Sequence, residues 1–278
     1  MRRRTGAAVD LTTTVGSVTL PNPVMTASGT AGHGAELAPY MDLASLGAVV
    51  VKSVSAGAWP GNPALRVHET ASGMINSVGL QGAGVEAWIE HDLPPLMATG
   101  ARVVVSIWGR SVAEYEAAAR LLAEAPAAVV AVEVNLSCPN TEAARDLFAH
   151  SASATADAMA ATAACGRPRW AKLSPNVTDL VPIADAAQRA GADAVTLVNT
   201  VLAMAIDPET GLYRLGSGAR GGGLSGPAIH PIAVRAVHDV HAALPDLPIV
   251  GVGGVASGGD AAELVLAGAS AIQVGTAT

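Results

Sequence analysis

The sequence is poor in cysteine. Only Cys138 and Cys165 occur among its 278 residues. Two thiols exclude a disulfide framework, and they are too few for this chain to hold an iron–sulfur cluster or a structural zinc site of its own. We therefore expect a cytoplasmic protein, kept in a reducing compartment.

Aromatic residues and positive charge are also scarce. One Phe and three Tyr are present, so the core is aliphatic, and the formal net charge of −7 argues against nucleic acid or an anionic membrane as partner. No run approaches the ~18 consecutive apolar residues that a membrane-spanning helix needs. Arg2, Arg3 and Arg4 have the charge of a secretory signal, but no apolar segment follows them. We interpret residues 1–10 as a flexible tail.

Short β-branched runs alternate with Ala-rich stretches in which apolar residues are three and four positions apart. Strict alternation of strand and helix predicts an α/β fold with a parallel sheet. Eight repeats favour a (β/α)8 TIM barrel, as one domain over residues 1–278, over an open doubly wound sheet. The predicted strands are 23–27, 48–52, 102–107, 129–134, 169–173, 194–198, 248–252 and 271–274, and the predicted helices are 35–45, 85–98, 111–123, 153–164, 179–189, 231–243 and 259–267.

Glycine stands one or two residues after three of the predicted helices, at Gly47, Gly191 and Gly268. In each case the next residue is Ala, at the start of a strand or two residues before it. Glycine tolerates the left-handed conformation that commonly ends a helix. We expect a left-handed C-cap at each of the three positions.

Two connections, residues 53–84 and 200–227, are too long for simple turns between a strand and a helix. Both follow strands, so both belong to the C-terminal face of the barrel, where barrel enzymes place their active sites. We expect the first to form an insert that covers the substrate and the second to form a flexible lid.

Polar residues stand at the C-terminal ends of the predicted strands. The densest group is Asn135-Leu-Ser-Cys138-Pro-Asn140, in which a thiol lies between two amides. An isolated motif of this kind is more often a turn with a buried cysteine. Lys52 and Lys172 also end apolar strands, where a lysine is costly unless an anion pairs with it. A salt bridge explains either lysine alone, but the two together favour a site for an anionic or electron-rich ligand.

Glycines end the last two predicted strands, at Gly253-Gly254 and at Gly275, which Thr276 follows. Barrel enzymes form phosphate cradles here from exposed backbone N–H groups and a helix N-terminus. The residues from 251 to 256 also fit a dinucleotide pattern, but that pattern belongs near the start of a Rossmann unit. We therefore favour the phosphate of a mononucleotide.

No metal site is predicted. His238 and His241 are three residues apart on a predicted helix, a spacing that metal ligands use. The sequence offers no third ligand nearby. We interpret the pair as part of a solvated face.

Nine short motifs stand in order from about Leu11 to the end of the chain. They are NPVMTASG (22–29), KS (52–53), PGNP (60–63), NSVGLQ (76–81), NLSCPN (135–140), KLSPNV (172–177), NT (199–200) with AID (205–207), GLSGP (223–227) and GT (275–276). Together they resemble class 1 dihydroorotate dehydrogenases. Residues 60–81 and 172–177 resemble the 1B subclass, which passes electrons to NAD through a partner subunit carrying FAD and an iron–sulfur cluster. A cysteine at position 138, where class 2 enzymes have serine, argues against that membrane-linked class.

The resemblance implies FMN as cofactor and oxidation of dihydroorotate to orotate in de novo pyrimidine biosynthesis. It implies that Cys138 is the catalytic base, which takes the C5 proton while C6 delivers hydride to the flavin. The implied FMN contacts are Ser28, Lys52, Ser53, Ser106, Asn135, Lys172, Val198, Gly226, Gly253, Gly254, Gly275 and Thr276. The implied pyrimidine contacts are Lys52, Asn76, Ser77, Val78, Gly79, Leu80, Asn135, Asn140, Asn199 and Thr200.

Two departures from the family pattern leave alternatives open. Ser106 stands where the 1B enzymes have a flavin-contacting Asn, and the chain stops at Thr278, where relatives continue into a closing helix. We expect a short or missing eighth helix. Fumarate or another acceptor could replace NAD, or the chain could be an FMN-binding paralogue with impaired turnover. The resemblance also implies a homodimer as the core of the assembly.

Overall fold

The computed structural model describes residues 9–137 and 147–278, so Cys138 and Asn140 lie outside the described residues. All eight predicted strands are confirmed, with ends shifted by no more than two residues. The strands are β1 (Thr13–Val15), β2 (Val18–Leu20), β3 (Val24–Thr26), β4 (Val49–Val50), β5 (Val67–Thr70), β6 (Gly73–Asn76), β7 (Val103–Ile107), β8 (Val129–Asn135), β9 (Arg169–Lys172), β10 (Ala194–Leu197), β11 (Val201–Ala203), β12 (Gly222–Ser225), β13 (Ile249–Val252) and β14 (Ala271–Val274).

Six of the seven predicted helices are confirmed in the described residues. Ser111, Ser151 and Ser257 cap three of them, each accepting a hydrogen bond from a backbone N–H in the first turn. The helices are α1 (Val85–Ala87), continued by a π-helical turn (Trp88–Asp92) into α2 (Leu93–Ala98), then α3 (Val112–Leu121), α4 (Ala152–Ala161), α5 (Val181–Arg189), α6 (His230–Ala243) and α7 (Gly258–Ala267). Short 3-10 helices are Leu43–Ser45, Phe148–His150, Thr162–Cys165, Gly218–Arg220 and Pro227–Ile229.

The helix predicted over residues 35–45 is wrong. Turns occupy most of this segment, and only Leu43–Ser45 is helical, as a 3-10 turn. Pro39 has no backbone N–H to donate and keeps the residue before it out of the α conformation. The Glu36 carboxylate accepts hydrogen bonds from the backbone N–H groups of His33 and Gly34, at 2.9 and 2.7 Å. These bonds stabilise a turn where the pattern predicted a helix.

Of the three predicted left-handed glycines, two are confirmed. Gly191 and Gly268 have φ of 92° and 124°. Gly47 does not have a positive φ, so the structure needs glycine here for a reason other than a left-handed cap. A Cβ there would lie 2.4 Å from the carbonyl oxygen of Asn22, so glycine allows two backbones to approach each other.

The parallel strands of the barrel lie in the order β3-β14-β13-β10-β9-β8-β7-β4. A parallel bridge between Met25 and Ala48 joins the two end strands and closes the barrel. At this seam Val50 donates its backbone N–H to Thr26 Oγ1 at 2.8 Å. The closed sheet confirms the TIM barrel.

The buried side chains separate into two packed clusters, because successive residues of a strand face opposite sides. Val49, Val51, Val103 and Val105 belong to the cluster that packs against the helices. The second cluster fills the barrel interior, and the hairpin of β1 and β2 contributes to it. Its members are Val15, Val18, Leu20, Met25, Ala48, Val50, Val104, Ala131, Trp170, Ala194, Val250 and Ala271.

The two long connections form one structure. β5 and β6 from the first connection join β11 and β12 from the second in a four-stranded antiparallel sheet, in the order β11-β12-β6-β5. The insert and the lid that the sequence predicts therefore share one sheet. Glycine permits the joining, since a Cβ on Gly222 would lie 2.4 Å from the carbonyl oxygen of Asn76.

Residues 275–278, which follow β14, form a turn, and no helix follows that strand among the described residues. In the part of the chain that the structure describes, no helix is both long and apolar enough to cross a bilayer.

Candidate active site

A cavity of about 710 Å³ opens at the C-terminal ends of the barrel strands, beneath the antiparallel sheet. Cofactor and substrate sites commonly have volumes of ~300–1,000 Å³. Apart from Ser106, every predicted site residue in the described part of the chain lines it. These residues are Ser28, Lys52, Ser53, Asn76, Ser77, Val78, Gly79, Leu80, Asn135, Lys172, Val198, Asn199, Thr200, Gly226, Gly253, Gly254, Gly275 and Thr276.

Strand alternation explains why polar side chains meet here. Ser106, Glu133, Lys172 and Gln273 each stand two residues after a member of the apolar interior cluster, on four different strands. Residues two apart on a strand face the same side. The interior of the barrel therefore changes from apolar to polar toward the C-terminal ends of its strands.

Asn135 is the centre of a hydrogen-bond network at the cavity wall. Its Nδ2 donates to Ser53 Oγ at 3.2 Å, and its Oδ1 accepts from Asn199 Nδ2 at 3.2 Å. Its backbone carbonyl accepts a hydrogen bond of 2.6 Å from the buried Tyr115 hydroxyl, on α3. Ser28 shares a hydrogen bond of 3.2 Å with Ser53. Such a network fixes the amide's orientation, which is what recognition of a planar polar ligand requires.

Ser106 lies behind this network and does not line the cavity. It is fully buried, and its Oγ shares a hydrogen bond of 2.9 Å with Ser53 Oγ. The flavin contact predicted at this position stays a prediction. In the structure Ser106 meets the cavity through the Ser53 hydroxyl, which lines it.

Lys172 reaches the cavity from β9 and is paired beneath it. Its Nζ lies 3.4 Å from Glu133 Oε1, and both side chains are almost entirely buried. The other carboxylate oxygen of Glu133 accepts a 2.7 Å hydrogen bond from Gln273 Nε2 on β14. The sequence argument anticipated an anion for this lysine, and the structure supplies one from inside the barrel.

A glycine cradle lies at the ends of β12 and β13. Gly226, Gly253 and Gly254 have φ of 93°, 141° and 66°, a region that side chains disfavour. His230, the first residue of α6, lies with Nδ1 2.8 Å from the Gly253 carbonyl oxygen. Positive φ, close backbone packing and a helix N-terminus together are the features of a phosphate site.

Trp59, Trp108 and Arg110 line the cavity on one side, and the sequence argument missed all three. The two indole rings meet edge to face with centroids 5.9 Å apart, and the Arg110 guanidinium lies 4.5 Å from the centre of the Trp59 ring. Trp59 Nε1 donates to the Gly79 carbonyl at 3.0 Å. Gly79 belongs to residues 76–80, the pyrimidine loop, which the sequence predicts to contact the substrate. A signal was available for the two tryptophans, since Trp59 directly precedes the PGNP motif and Trp108 stands two residues after Ser106.

Outside the cavity, neither the second thiol nor the histidine pair forms a site. Burial raises the pKa of the Cys165 thiol against the opposing effects of a backbone hydrogen bond and two nearby arginines. That thiol is therefore a poor nucleophile. His238 lies 3.3 Å from Asp239 on the exposed face of α6. In residues 9–137 and 147–278 no three His, Cys, Asp or Glu side chains are placed to hold a metal ion.

The sequence model of the dihydroorotate dehydrogenase family matches residues 10–278. This chain belongs to the dihydroorotate dehydrogenase family. A relative from Desulforudis audaxviator (strain MP104C), named dihydroorotate dehydrogenase B (NAD(+)), catalytic subunit, is 50% identical over 95% of this chain and 85% of its own length. One of the same name from Alkaliphilus metalliredigens (strain QYMF) is 46% identical over 97% and 88%. A third relative, from Solibacter usitatus (strain Ellin6076), is provisionally named dihydroorotate dehydrogenase A (fumarate). It is 45% identical to this chain over 96% of this chain and 87% of its own length.

Proposed function

We propose that this chain is the catalytic subunit of an NAD-linked dihydroorotate dehydrogenase, which oxidises dihydroorotate to orotate in de novo pyrimidine biosynthesis. The observation that carries the proposal is that a glycine cradle, two lysines and an ordered amide network meet in one cavity. Family membership supports the reaction, and the names of the NAD-linked relatives support the acceptor.

FMN fits the residues that are present. A Cβ at Gly254 would lie 2.8 Å from the Gly226 carbonyl oxygen and 2.7 Å from His230 Cβ, so only glycine leaves the cradle open to a phosphate group. Gly226, Gly253, Gly254, Gly275 and Thr276 would hold the phosphate. Ser28, Ser53, Lys52 and Lys172 would lie along the flavin ring. When bound, FMN supplies the acceptor for the hydride that leaves C6 of dihydroorotate.

The chain's own part in the reaction is to orient the pyrimidine and take a proton. Asn76, Asn135 and Asn199 offer amides that match the carbonyl and N–H groups of the ring, and Asn62 Nδ2 supports the pyrimidine loop through a 2.8 Å bond to Ser77 Oγ. We assign the C5 proton to Cys138 and a substrate contact to Asn140, both outside the described residues. Ser137, the described residue before Cys138, lines the cavity.

Electrons would leave through a separate subunit that carries FAD and an iron–sulfur cluster. With two cysteines, this chain cannot ligate such a cluster alone. The word "subunit" in the relatives' names supports a partner of this kind. A homodimer core is part of the same proposal. So is a cytoplasmic location, which the small number of cysteines favours.

Fumarate is the second candidate acceptor. The Solibacter relative is about as similar to this chain as most of the NAD-linked relatives are. Overall identity therefore does not separate the acceptors. Fumarate would have to reach the same cavity as dihydroorotate, whereas NAD would react at a partner subunit.

The test is anaerobic addition of dihydroorotate to the purified chain loaded with FMN. We expect the flavin absorbance to bleach, with one orotate formed per FMN. Fumarate should then restore the colour slowly, and NAD should restore it only when the partner subunit is added. Rapid reoxidation by fumarate would select the second candidate. FMN that binds but does not bleach would indicate the impaired paralogue.

A further inference from the structure

Glu133 is the one acidic side chain within β8, and it is completely buried. It stands two residues before Asn135, which lines the cavity, and residues two apart on a strand face the same side. Its carboxylate therefore lies just below the cavity floor. A buried carboxylate is costly unless its oxygens are paired, so its partners indicate what it does.

Both carboxylate oxygens have partners, and the partners come from different sides of the barrel. Oε1 lies 3.4 Å from Lys172 Nζ on the adjacent strand β9. Oε2 accepts from Gln273 Nε2 at 2.7 Å, on β14, which is four strands away in the order of the barrel sheet. Gln273 thereby fixes one oxygen, and the other is directed at the lysine.

We propose that Glu133 is a positioning residue that holds the Lys172 ammonium at the cavity floor and offsets its charge, so that it sets the redox balance of the bound flavin. The inference rests on the proposed function, because it requires FMN in the cavity. Reduced FMN carries more negative charge than oxidised FMN, so a cation beneath the ring favours the reduced form and a nearby anion opposes it.

The expected change follows from charge alone. Glu133→Gln keeps the size and the hydrogen-bonding capacity of the side chain and removes its negative charge. Lys172 then acts on the ring without its counter-charge. We expect the ratio of the Kd for oxidised FMN to the Kd for reduced FMN to rise at least tenfold, which is a shift of about 30 mV toward positive potential for a two-electron couple.

Two further variants separate charge from packing. Gln273→Met removes the other hydrogen bond to Glu133 but changes no charge, so it should leave the ratio within threefold of wild type. The double variant Glu133→Gln/Lys172→Met removes both charges and should reverse the rise that Glu133→Gln causes. Lys172→Met alone is not suitable, because it leaves a buried carboxylate unpaired.

The experiment measures the Kd of oxidised FMN by fluorescence and the midpoint potential of bound FMN against a reference dye, in the full chain and the three variants. A wild-type chain that binds no FMN overturns both the proposed function and this inference. FMN binding in wild type with an unchanged ratio in Glu133→Gln overturns the inference alone. If Glu133→Gln folds poorly, the double variant still tests the inference. A ratio of the two Kd values above that of wild type in the double variant would contradict the proposed effects of the two charges.

Discussion

The two ends of the barrel interior differ in chemistry although the same strands build both. At the N-terminal ends, Trp170, Val104 and Val250 pack with Leu20 from the hairpin, in a cluster of buried apolar side chains. Two residues further along their strands, Lys172 follows Trp170 and Ser106 follows Val104. Parallel strands bring their carboxyl ends to one edge, so a change of residue type at one position in several strands creates a site. The N-terminal end, here called the lower end, can then stabilise the barrel without constraining the chemistry at the C-terminal end, here called the upper end.

The largest effect should come from the upper end. Cys138→Ala should slow reduction of bound FMN by dihydroorotate by about 10²–10⁴-fold, the usual cost of removing a general base, with FMN still bound. Cys165→Ala is the matched control, since that thiol is buried and away from the cavity. It should change the rate less than threefold. Stopped-flow absorbance gives both rates.

At neutral pH, Cys138→Ser should do little better than Cys138→Ala, because a hydroxyl is a far weaker base than a thiol unless another group activates it. Its defect should shrink as the pH rises. A Cys138→Ala rate within a few-fold of wild type at every pH would contradict the assignment of the base.

Substitutions at the lower end should change the free energy of unfolding. Leu20→Ala should lower the free energy of unfolding by about 2–5 kcal/mol, because it opens a cavity among fully buried side chains. Leu266→Ala, at a side chain 88% exposed on α7, is the control and should cost little. Urea denaturation gives both values. Equal losses in the two variants would show that the hairpin does not stabilise the interior.

The glycine cradle offers a sharper comparison within the upper end. Gly254→Ala should weaken FMN binding at least tenfold, because a Cβ at φ 66° would lie 2.7 Å from His230 Cβ. Gly166→Ala is matched, with φ 62° and no atom within 4 Å of its Cβ. Both variants pay a similar backbone cost of ~1–2 kcal/mol, and only the first should lose FMN. Equilibrium fluorescence titration measures the two Kd values.

The smallest effect is expected at the aromatic wall. Trp59→Phe keeps the ring but removes the indole N–H that donates to Gly79. A hydrogen bond contributes ~1 kcal/mol net, so KM for dihydroorotate should rise about fivefold while kcat and FMN affinity stay near wild type. Steady-state kinetics with a dye acceptor checks this. A fall in kcat at constant KM would show that the loop acts in the chemical step.

Local pattern predicted the barrel strands because β-branched runs and their spacing are properties of short segments. The helix predicted at 35–45 does not form, because Pro39 interrupts the apolar pattern and the Glu36 carboxylate stabilises a turn. Polar residues and glycines after apolar runs identified Lys52, Asn135, Lys172 and Gly253-Gly254 in the cavity lining, whereas residues 76–80 came from the family resemblance. Strand ends converge in any parallel barrel, so no long-range information was needed.

The residues that were missed depend on contacts that sequence spacing does not give. Trp59, in the first long connection, and Trp108, just after β7, are far apart in the sequence and meet only in the folded chain. Glu133 was visible as a lone charge inside an apolar strand, but its partners follow from the register of β8 with β9 and from the barrel's closed interior. Local pattern therefore indicated where the site lies, and tertiary packing decided which charges meet beneath it.

The most direct test of the division between the two ends is the rate at which dihydroorotate bleaches bound FMN, measured side by side in Cys138→Ala and Leu20→Ala. We predict that Cys138→Ala is slowed by about 10²-fold or more. We predict that Leu20→Ala, although destabilised, bleaches within threefold of wild type. A Leu20→Ala rate as slow as that of Cys138→Ala, or a Cys138→Ala rate close to wild type, would contradict it.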